Sequence, residues 1–548
     1  MVTVAELVKG YGPNFPPLET LLGMKPKEAE LAALEAPTPE LGRYFKNVHF
    51  LSNVTSQLVL DQVRFHVMKE YIIGLSDLLT KYDGIHRDRK VVHDLSPSDK
   101  RKIRKLALTP DASVQVALIE KFTEHDTAAA GDYLKLLTGT THTHLEPMIE
   151  GFNFAETSED NMGPTFGLIA NKVVYGYFLP KVLDFMEDML NYVSHWEKDV
   201  PLVIPGFTHV QGAEPTTLGK KFTTNLKSID YHIRRMMNTK GKFRPFTGKL
   251  GGAIGNLTTH IAAYPDIDWG AFSEKFVTGL GLTYDDMTFQ SVTYDLEAGH
   301  FTDLAHMMTH ILKFTDDFVN LAACPGQFFV KKKTKGTKGS SLMPNKSNAW
   351  GQEGAQEMLI KSRSDLFLYA ERLPSFPHEG NMGRSYLLRA LGEIFMPAFI
   401  ALDRIKSEIL GRKYPEEFNG YVPNLSKIAA CFNEYPGMAA SSIQTILKRE
   451  GIPGDAYRVL EGISINSDST YANQQQFSTG LERVMGELNL PDRVRIELRA
   501  SCIPSNSIGA ADRLAKKEKA LLRNHIAEYL IKLKRYQKPL VSLEHKDN

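Results

Sequence analysis

Three stretches of the 548-residue chain place apolar side chains at alternating spacings of three and four residues. Val182, Met186, Met189, Val193 and Trp196 form the first; Leu226, Ile229, Ile233 and Met236 form the second. Leu304, Met308, Ile311, Thr315 and Phe318 form the third. This spacing keeps one face of a 3.6-residue turn apolar, so each stretch reads as a long helix that must bury a seam. Seams of that length pack nearly parallel to one another, as in a bundle. Strand-like alternation is scarce, and the expected fold class is all-α. Pro180 should start or kink its helix, because its ring has no N–H to donate. Methionine and aromatic residues at this regular spacing read as core and not as a cofactor site.

A chain this long exceeds a single ordinary core. The expected division has an N-terminal helical region, 1–155, with a proline- and leucine-rich extension at 1–40, and a composition shift beyond about 413 marks its last boundary. A central bundle follows at 156–413, then a C-terminal helical region at 414–548. With 65 basic and 64 acidic residues there is no net field to recruit nucleic acid or a membrane surface. Cys324, Cys431 and Cys502 are far apart and in no metal spacing, which argues against a disulfide framework and for a reducing compartment. The start, MVTVAELVKGYGPNF, lacks the apolar stretch of a secretory signal. No uninterrupted apolar run is long enough to span a bilayer. The expected location is cytoplasmic.

Within the bundle region, residues 331–348 read KKKTKGTKGSSLMPNKSN. Neither a packed helix nor a strand favours this mixture. Its glycines permit unusual backbone angles and Pro344 fixes a turn, leaving Ser340, Ser341, Lys346 and Asn348 to converge on something small and polar. The lysines before Gly339 read as a solvated basic face. Other chemistry-bearing residues fall in ordered blocks. Gly42-Arg43-Tyr44 precedes an amphipathic stretch at 54–79, and an arginine there suits an anion through its planar fork. Glu124-His125-Asp126 opens a helix, where His125 and Asp126 read as a capping pair. Thr157-Ser158-Glu159-Asp160 is a helix start with acidic first-turn residues, and helix N-termini are natural anion sites. His209 lies in PGFTHVQGAEP, between breakers and therefore on a loop. Lys249, Asn256 and His260 lie in a glycine-rich break at 249–269, with Gln290 further on. Ser385 and Arg389 lie in PSFPHEGNMGRSYLLR.

The GSSxMPxKxN order and the THxQ block resemble the fumarase/aspartase superfamily of lyases, which cleave a C–N or C–O bond to release fumarate. The GRY block and KLGGAIGNLTTHIAAYPDIDW resemble the branch of that superfamily acting on succinylated nucleotides. The resemblance runs from roughly residue 40 to 480 and implies a homotetramer of three-domain subunits. Its active sites would be built from regions of three different subunits. It assigns Ser340 as general base, since the base lies six residues before the lysine and eight before the asparagine. His209 is assigned as general acid. Imidazole suits that role because its pKa of about 6.5 needs little tuning near neutrality. Substrate contacts would come from Arg43, Tyr44, His125, Asp126, Thr157, Ser158, Gln290, Lys346, Asn348, Ser385 and Arg389, with Lys249 and Asn256 as further lining. No metal or organic cofactor is implied; the partners are a small nucleotide substrate and other copies of the chain.

One block departs from the superfamily pattern. Gly380 and Asn381 stand where an arginine–aspartate pair is expected, while Arg384 follows one helical turn later and could reach an anion from another direction. This leaves open a different superfamily chemistry, of the argininosuccinate lyase, aspartase or fumarase type. A non-catalytic helical scaffold is the remaining alternative.

Overall fold

The structure is a computed structural model and describes residues 38–85, 88–322, 328–332, 338–344, 347–451 and 454–540. Lys346, Cys324 and most of the 1–40 extension lie outside the described residues. Helix α1 (Pro39–Val48) starts on Thr38, whose hydroxyl accepts the Leu41 N–H. Helix α2 (Gln57–Thr80) is buried on nearly every side because it serves two cores. Its Val59, Leu60 and Val63 join the central core, whereas Phe65, Val67, Met68 and Tyr71 join an N-terminal one. Helix α3 (Asp126–Thr141) belongs to that second core through Ala129, Ala130, Tyr133 and Leu134.

Helix α4 (Ser158–Asn171) passes through a π-helical segment, Lys172–Phe178, into α5 (Leu179–Trp196). Pro180 stands in the first turn after that segment, where the widened turn removes the clash its ring would have with an α-helical carbonyl. A hairpin follows, β1 (Val203–Thr208) and β2 (Gln211–Thr217), leading directly into α6 (Leu218–Arg235). The short strand β3 (Thr247–Gly248) pairs in parallel with β4 (Thr283–Tyr284). Helix α7 (Asp295–Ala322) is followed by strand β5 (Phe329–Lys331) and helix α8 (Trp350–Arg372). Short α9 (Gly383–Arg389) leads into α10 (Leu391–Leu410), and β6 (Tyr421–Pro423) then pairs antiparallel with β5.

The three seams read from the sequence meet in one core. Val182, Met186, Met189 and Val193 of α5 lie with Leu226, Ile229 and Ile233 of α6 and with Leu304, Met308, Ile311 and Phe318 of α7. Shorter helices between Leu425–Glu434 and Asp492–Ser501 follow, and a separate core forms around Ile443, Leu447, Leu460, Phe477 and Leu481. The chain then returns: Leu522, Ile526, Tyr529 and Leu533 of α11 (Ala511–Gln537) belong to the central core. Lys172 donates to the Tyr536 and Lys538 carbonyls at 2.8 Å each, capping the end of α11 with a cation. The stretch 486–513 thus resolves into a helix, a 3-10 turn at Pro504–Asn506 and the start of α11.

One helix passes a membrane-span test although it holds no uninterrupted apolar run. The segment Gly383–Leu410 is long and apolar enough to cross a membrane by length and composition. Charged residues such as Glu393 and Arg404 break the run, so counting uninterrupted apolar residues misses it. Its Phe395, Ala398, Ala401, Leu402 and Ile405 are buried in the central core, and a core helix passes the same test.

Candidate active site

The glycine-serine loop is entered through β5, whose residues Phe329 and Lys331 pair with Pro423 and Tyr421. Lys331 also forms an ion pair with Glu408 on α10, so the loop's first strand is held from two sides. Beyond it, the Ser340 hydroxyl oxygen accepts two backbone N–H groups, from Leu342 at 3.3 Å and Met343 at 3.0 Å. Ser340 is half-buried and Ser341 exposed. Two N–H dipoles aimed at one oxygen favour negative charge on it, the requirement for a serine that must act as a base. The two serines, adjacent in sequence, are therefore electrostatically distinct.

Tyr44 and Asn348 line one cavity of about 440 Å³, together with Lys331, Lys338, Arg404 and Arg412. The Arg404 guanidinium lies over two aromatic rings, its central carbon 4.7 Å from the centroids of both Tyr44 and Trp350. Its Nη2 donates to the Tyr44 hydroxyl at 2.6 Å. Arg43 is exposed on the outer side of α1, 5.8 Å from the Tyr44 ring.

A second group gathers where α3, α4 and α9 meet. His125 Nδ1 accepts the Ala128 N–H at 3.3 Å, which leaves Nε2–H to donate to the Ser158 hydroxyl at 3.2 Å. His125 thus caps a helix and touches a predicted binding residue at once. Asp126 sits between Arg64, at 2.8 Å, and Arg389. Burial acts to raise the Asp126 carboxyl, but the two guanidiniums outweigh it and bring the pKa down to about 2. Arg389 Nε in turn donates to the Ser385 hydroxyl at 3.3 Å. Thr157 caps α4 in a box with Asp160, whose carboxylate accepts the Gly251 and Gly252 N–H groups. Asp160 also pairs at 2.8 Å with Lys249, which is fully buried and spends a further bond on the Gly252 carbonyl. Lys249 is accordingly a strut, while Asn256 is exposed on the loop beyond it.

Two findings explain the departure at 380–384. The Gln290 side chain occupies the space beside Gly380: a Cβ there would lie 2.2 Å from the amide oxygen and 3.3 Å from the Gln290 Cβ. The Gln290 N–H bonds the Glu379 carbonyl at 2.9 Å, fixing the two backbones together. Arg384 does not reach outward in place of a missing guanidinium. It turns inward to Glu159, at 2.7 Å, and to the Asn381 carbonyl, at 3.3 Å.

His209 is elsewhere, at the tip of the β1–β2 hairpin and exposed. It lies on a connecting loop as expected, a two-residue turn with Thr208 paired to Gln211. Both turn residues have left-handed backbones, His209 at φ +51° and Val210 at +63°. Twist-matched hairpin turns demand this conformation, and for a β-branched valine it is strained. The hairpin is braced from below: Phe207 stacks on Phe328, Tyr471 donates to the Gln211 side chain at 3.2 Å, and Ser441 donates to Glu214 at 2.6 Å. Within one chain, the cavity holding Tyr44 and Asn348 is lined by none of His125, Asp126, Ser158, Arg389 or His209. The chain brings the predicted residues together as separate groups.

Arg64, Arg404, Trp350 and Tyr471 were not anticipated. Arg64 carried a signal, since a charge inside the apolar stretch 54–79 needs a partner; the others carried none.

A family model described as a lyase matches residues 103–361. The adenylosuccinate lyase of Dictyostelium discoideum is 28% identical over 88% of this chain and 97% of its own length. That of Escherichia coli K12 is also 28% identical, over 88% of this chain and 98% of its own. Among solved structures, β-carboxy-cis,cis-muconate cycloisomerase from Acinetobacter calcoaceticus superposes with a TM-score of 0.58 at 14% identity, covering 89% of this chain and 99% of that one. A fumarate lyase from Mesorhizobium gives 0.58 at 13% identity, covering 87% and 97%. At these identities the structural likeness speaks for the fold alone.

Proposed function

Because the chain belongs to the fumarase/aspartase superfamily of lyases, we propose that it is an adenylosuccinate lyase. It cleaves adenylosuccinate to AMP and fumarate, and the succinylated aminoimidazole carboxamide ribotide to the free carboxamide ribotide and fumarate. The observation that carries this reading is the likeness, over 88% of this chain, to relatives of that name. A cytoplasmic location goes with it.

The chemistry assigns roles to the residues. A proton leaves the succinyl carbon next to a carboxylate, and the electron pair passes through a carbanion stabilised as the aci-carboxylate. The C–N bond then breaks, its electrons go to the purine-side nitrogen, and a new C=C bond completes fumarate. Ser340 takes the proton; the Leu342 and Met343 N–H groups on its oxygen support the alkoxide this requires. His209, exposed at the hairpin tip, donates the proton that the leaving nitrogen needs. Asn348 and Lys346 orient a carboxylate.

The reading also includes a homotetramer. His209, Ser340 and the His125–Arg389 group lie on different elements, and a symmetric assembly lets one subunit supply what its neighbour lacks. The three-domain division at 155 and 413 belongs to the same proposal.

The test is turnover by the purified chain, followed as absorbance loss with adenylosuccinate and compared with argininosuccinate, aspartate and malate. Turnover of adenylosuccinate supports the reading, and turnover of another compound alone replaces it. No turnover on any of them favours the scaffold.

A further inference from the structure

The hairpin that presents His209 is divided by a break in its own ladder. Below the break, Val203, Ile204 and Pro205 pair with Thr217, Thr216 and Pro215. The register shifts between Pro205 and Phe207, and above the shift only Phe207 with Gly212 and Thr208 with Gln211 are paired. Gly206 sits at the shift, where a Cβ would lie 2.7 Å from the Glu214 carbonyl oxygen. A bulge of this kind bends the strand and interrupts the ladder. Two pairs beyond it, closed by a turn strained at Val210, do not fix the direction of the tip by themselves. Strained backbone persists only where surrounding contacts over-determine it.

Those contacts come from far along the chain. On one side, Phe207 stacks on Phe328 with ring centroids 6.0 Å apart. On the other, Gly212 lies against Met438, whose Cε would be 2.4 Å from an added Cβ. The Tyr471 hydroxyl donates to the Gln211 side-chain oxygen at 3.2 Å, two residues from His209. Among the described residues this is the one side-chain hydrogen bond made above the break, and a hydrogen bond fixes direction where stacking does not. Tyr471 is itself held. Its ring meets Tyr435 edge-on at 5.7 Å, its backbone pairs with Ile465, and its carbonyl accepts from Asn466 at 3.4 Å. The next residue, Ala472, is buried in the C-terminal core. Gln211, Gly212, Met438 and Tyr471 also line a cavity of about 370 Å³, so the tip stands beside open space and is held by discrete contacts.

We propose that Tyr471 is a positioning residue for the reaction: through Gln211 it sets the direction in which the hairpin presents the His209 imidazole. This rests on the reading of His209 as the proton donor. Tyr471 is 57% exposed, so its bond contributes little to folding. A general acid is far more sensitive, because it must lie within hydrogen-bond reach of the atom it protonates, and a displacement of about 1 Å can cost on the order of 100-fold in rate. The C-terminal core thereby acts on the chemistry through two side chains.

The experiment compares the full-length chain with Tyr471→Phe, Gln211→Ala and the double variant, in steady-state kinetics with adenylosuccinate and in backbone amide exchange. Tyr471→Phe keeps the ring beside Tyr435 and removes only the hydroxyl. Its kcat should fall by about 10- to 100-fold while KM stays within about twofold and Tm is unchanged. The solvent deuterium effect on kcat should rise as proton donation becomes limiting. Amides at 207–212 should exchange faster, and those of the bundle should not. In the Gln211→Ala background, Tyr471→Phe should have no further effect on kcat, since the two side chains act as one unit. Unaltered kcat in Tyr471→Phe, or losses that add in the double variant, overturns the proposal. A fall in Tm with kcat and KM worsening together would make Tyr471 a structural brace only and overturns it as well. If Tyr471→Phe does not fold, Gln211→Ala removes the same bond from the other side and is read in the same way. Amide exchange needs no turnover, so the outcomes separate. Faster exchange at 207–212 without adenylosuccinate cleavage by the unaltered chain sinks only the lyase reading. Cleavage at equal rates by the unaltered chain and Tyr471→Phe sinks only this one, and unchanged exchange at 207–212 sinks it whether or not the chain turns over.

Discussion

The Arg384 guanidinium and the Glu159 carboxylate meet at 2.7 Å, the arginine 3% and the glutamate 14% exposed. Such a pair is worth little against an apolar replacement, yet removing one partner strands a buried charge. Arg384→Met should therefore lower the unfolding free energy by about 3–5 kcal/mol, read from denaturant midpoints at constant slope. Glu159→Gln, which keeps an acceptor, should cost less. A loss below about 1 kcal/mol for Arg384→Met would place the pair in far better solvent contact than the geometry gives.

Gly380 tests a different kind of constraint. Its backbone is not in the left-handed region, so alanine there is free of backbone strain, and the atoms nearest the added methyl belong to the Gln290 side chain. Gly380→Ala should displace Gln290 and raise KM for adenylosuccinate by about tenfold, the equivalent of one hydrogen bond to substrate, with Tm nearly unchanged. Steady-state kinetics beside a thermal melt checks this, and a large fall in Tm with unaltered KM would contradict it.

The buried His300 gives a pH signature. Desolvation lowers its pKa from 6.5 to about 4, its Nε2 lying 3.1 Å from both the Arg244 carbonyl and the Tyr175 hydroxyl. Between pH 6.5 and 4 the unfolded chain binds a proton at this residue and the folded chain does not, so its contribution to stability falls as pH falls. Buried Glu156 and Glu297, whose pKa values burial raises, act in the opposite sense, and the bulk curve mixes both. The informative quantity is the stability difference between the unaltered chain and His300→Gln. It should shrink by on the order of 3 kcal/mol from pH 7 to pH 4. A difference independent of pH would mean the imidazole is already solvated.

What could be read from the sequence was what is local. Val182 to Trp196 or Leu304 to Phe318 repeat with the helical turn, and no tertiary contact can reverse so long a pattern. The β1–β2 hairpin was missed because GFT and QGAEPTT lack alternation; its pairing is decided by Phe207 on Phe328 and by Ser441 and Tyr471 from far along the chain. The return of α11 to the central core was equally invisible, since an amphipathic helix does not state which core it joins. At the candidate site, the order of motifs pointed to Ser340, and only the fold shows two N–H groups on its oxygen. The absent arginine at 380 was visible as a departure, but its cause, the Gln290 side chain filling that space, was not.

In the proposed reaction this chain releases fumarate from adenylosuccinate with Ser340 as the base. Its most direct test is fumarate formation by the unaltered chain, Ser340→Ala and Ser341→Ala under single-turnover conditions, with substrate binding measured in parallel. Ser340→Ala should bind substrate and form no fumarate, while Ser341→Ala should keep the unaltered rate within a few-fold. Near-normal fumarate formation by Ser340→Ala would contradict it.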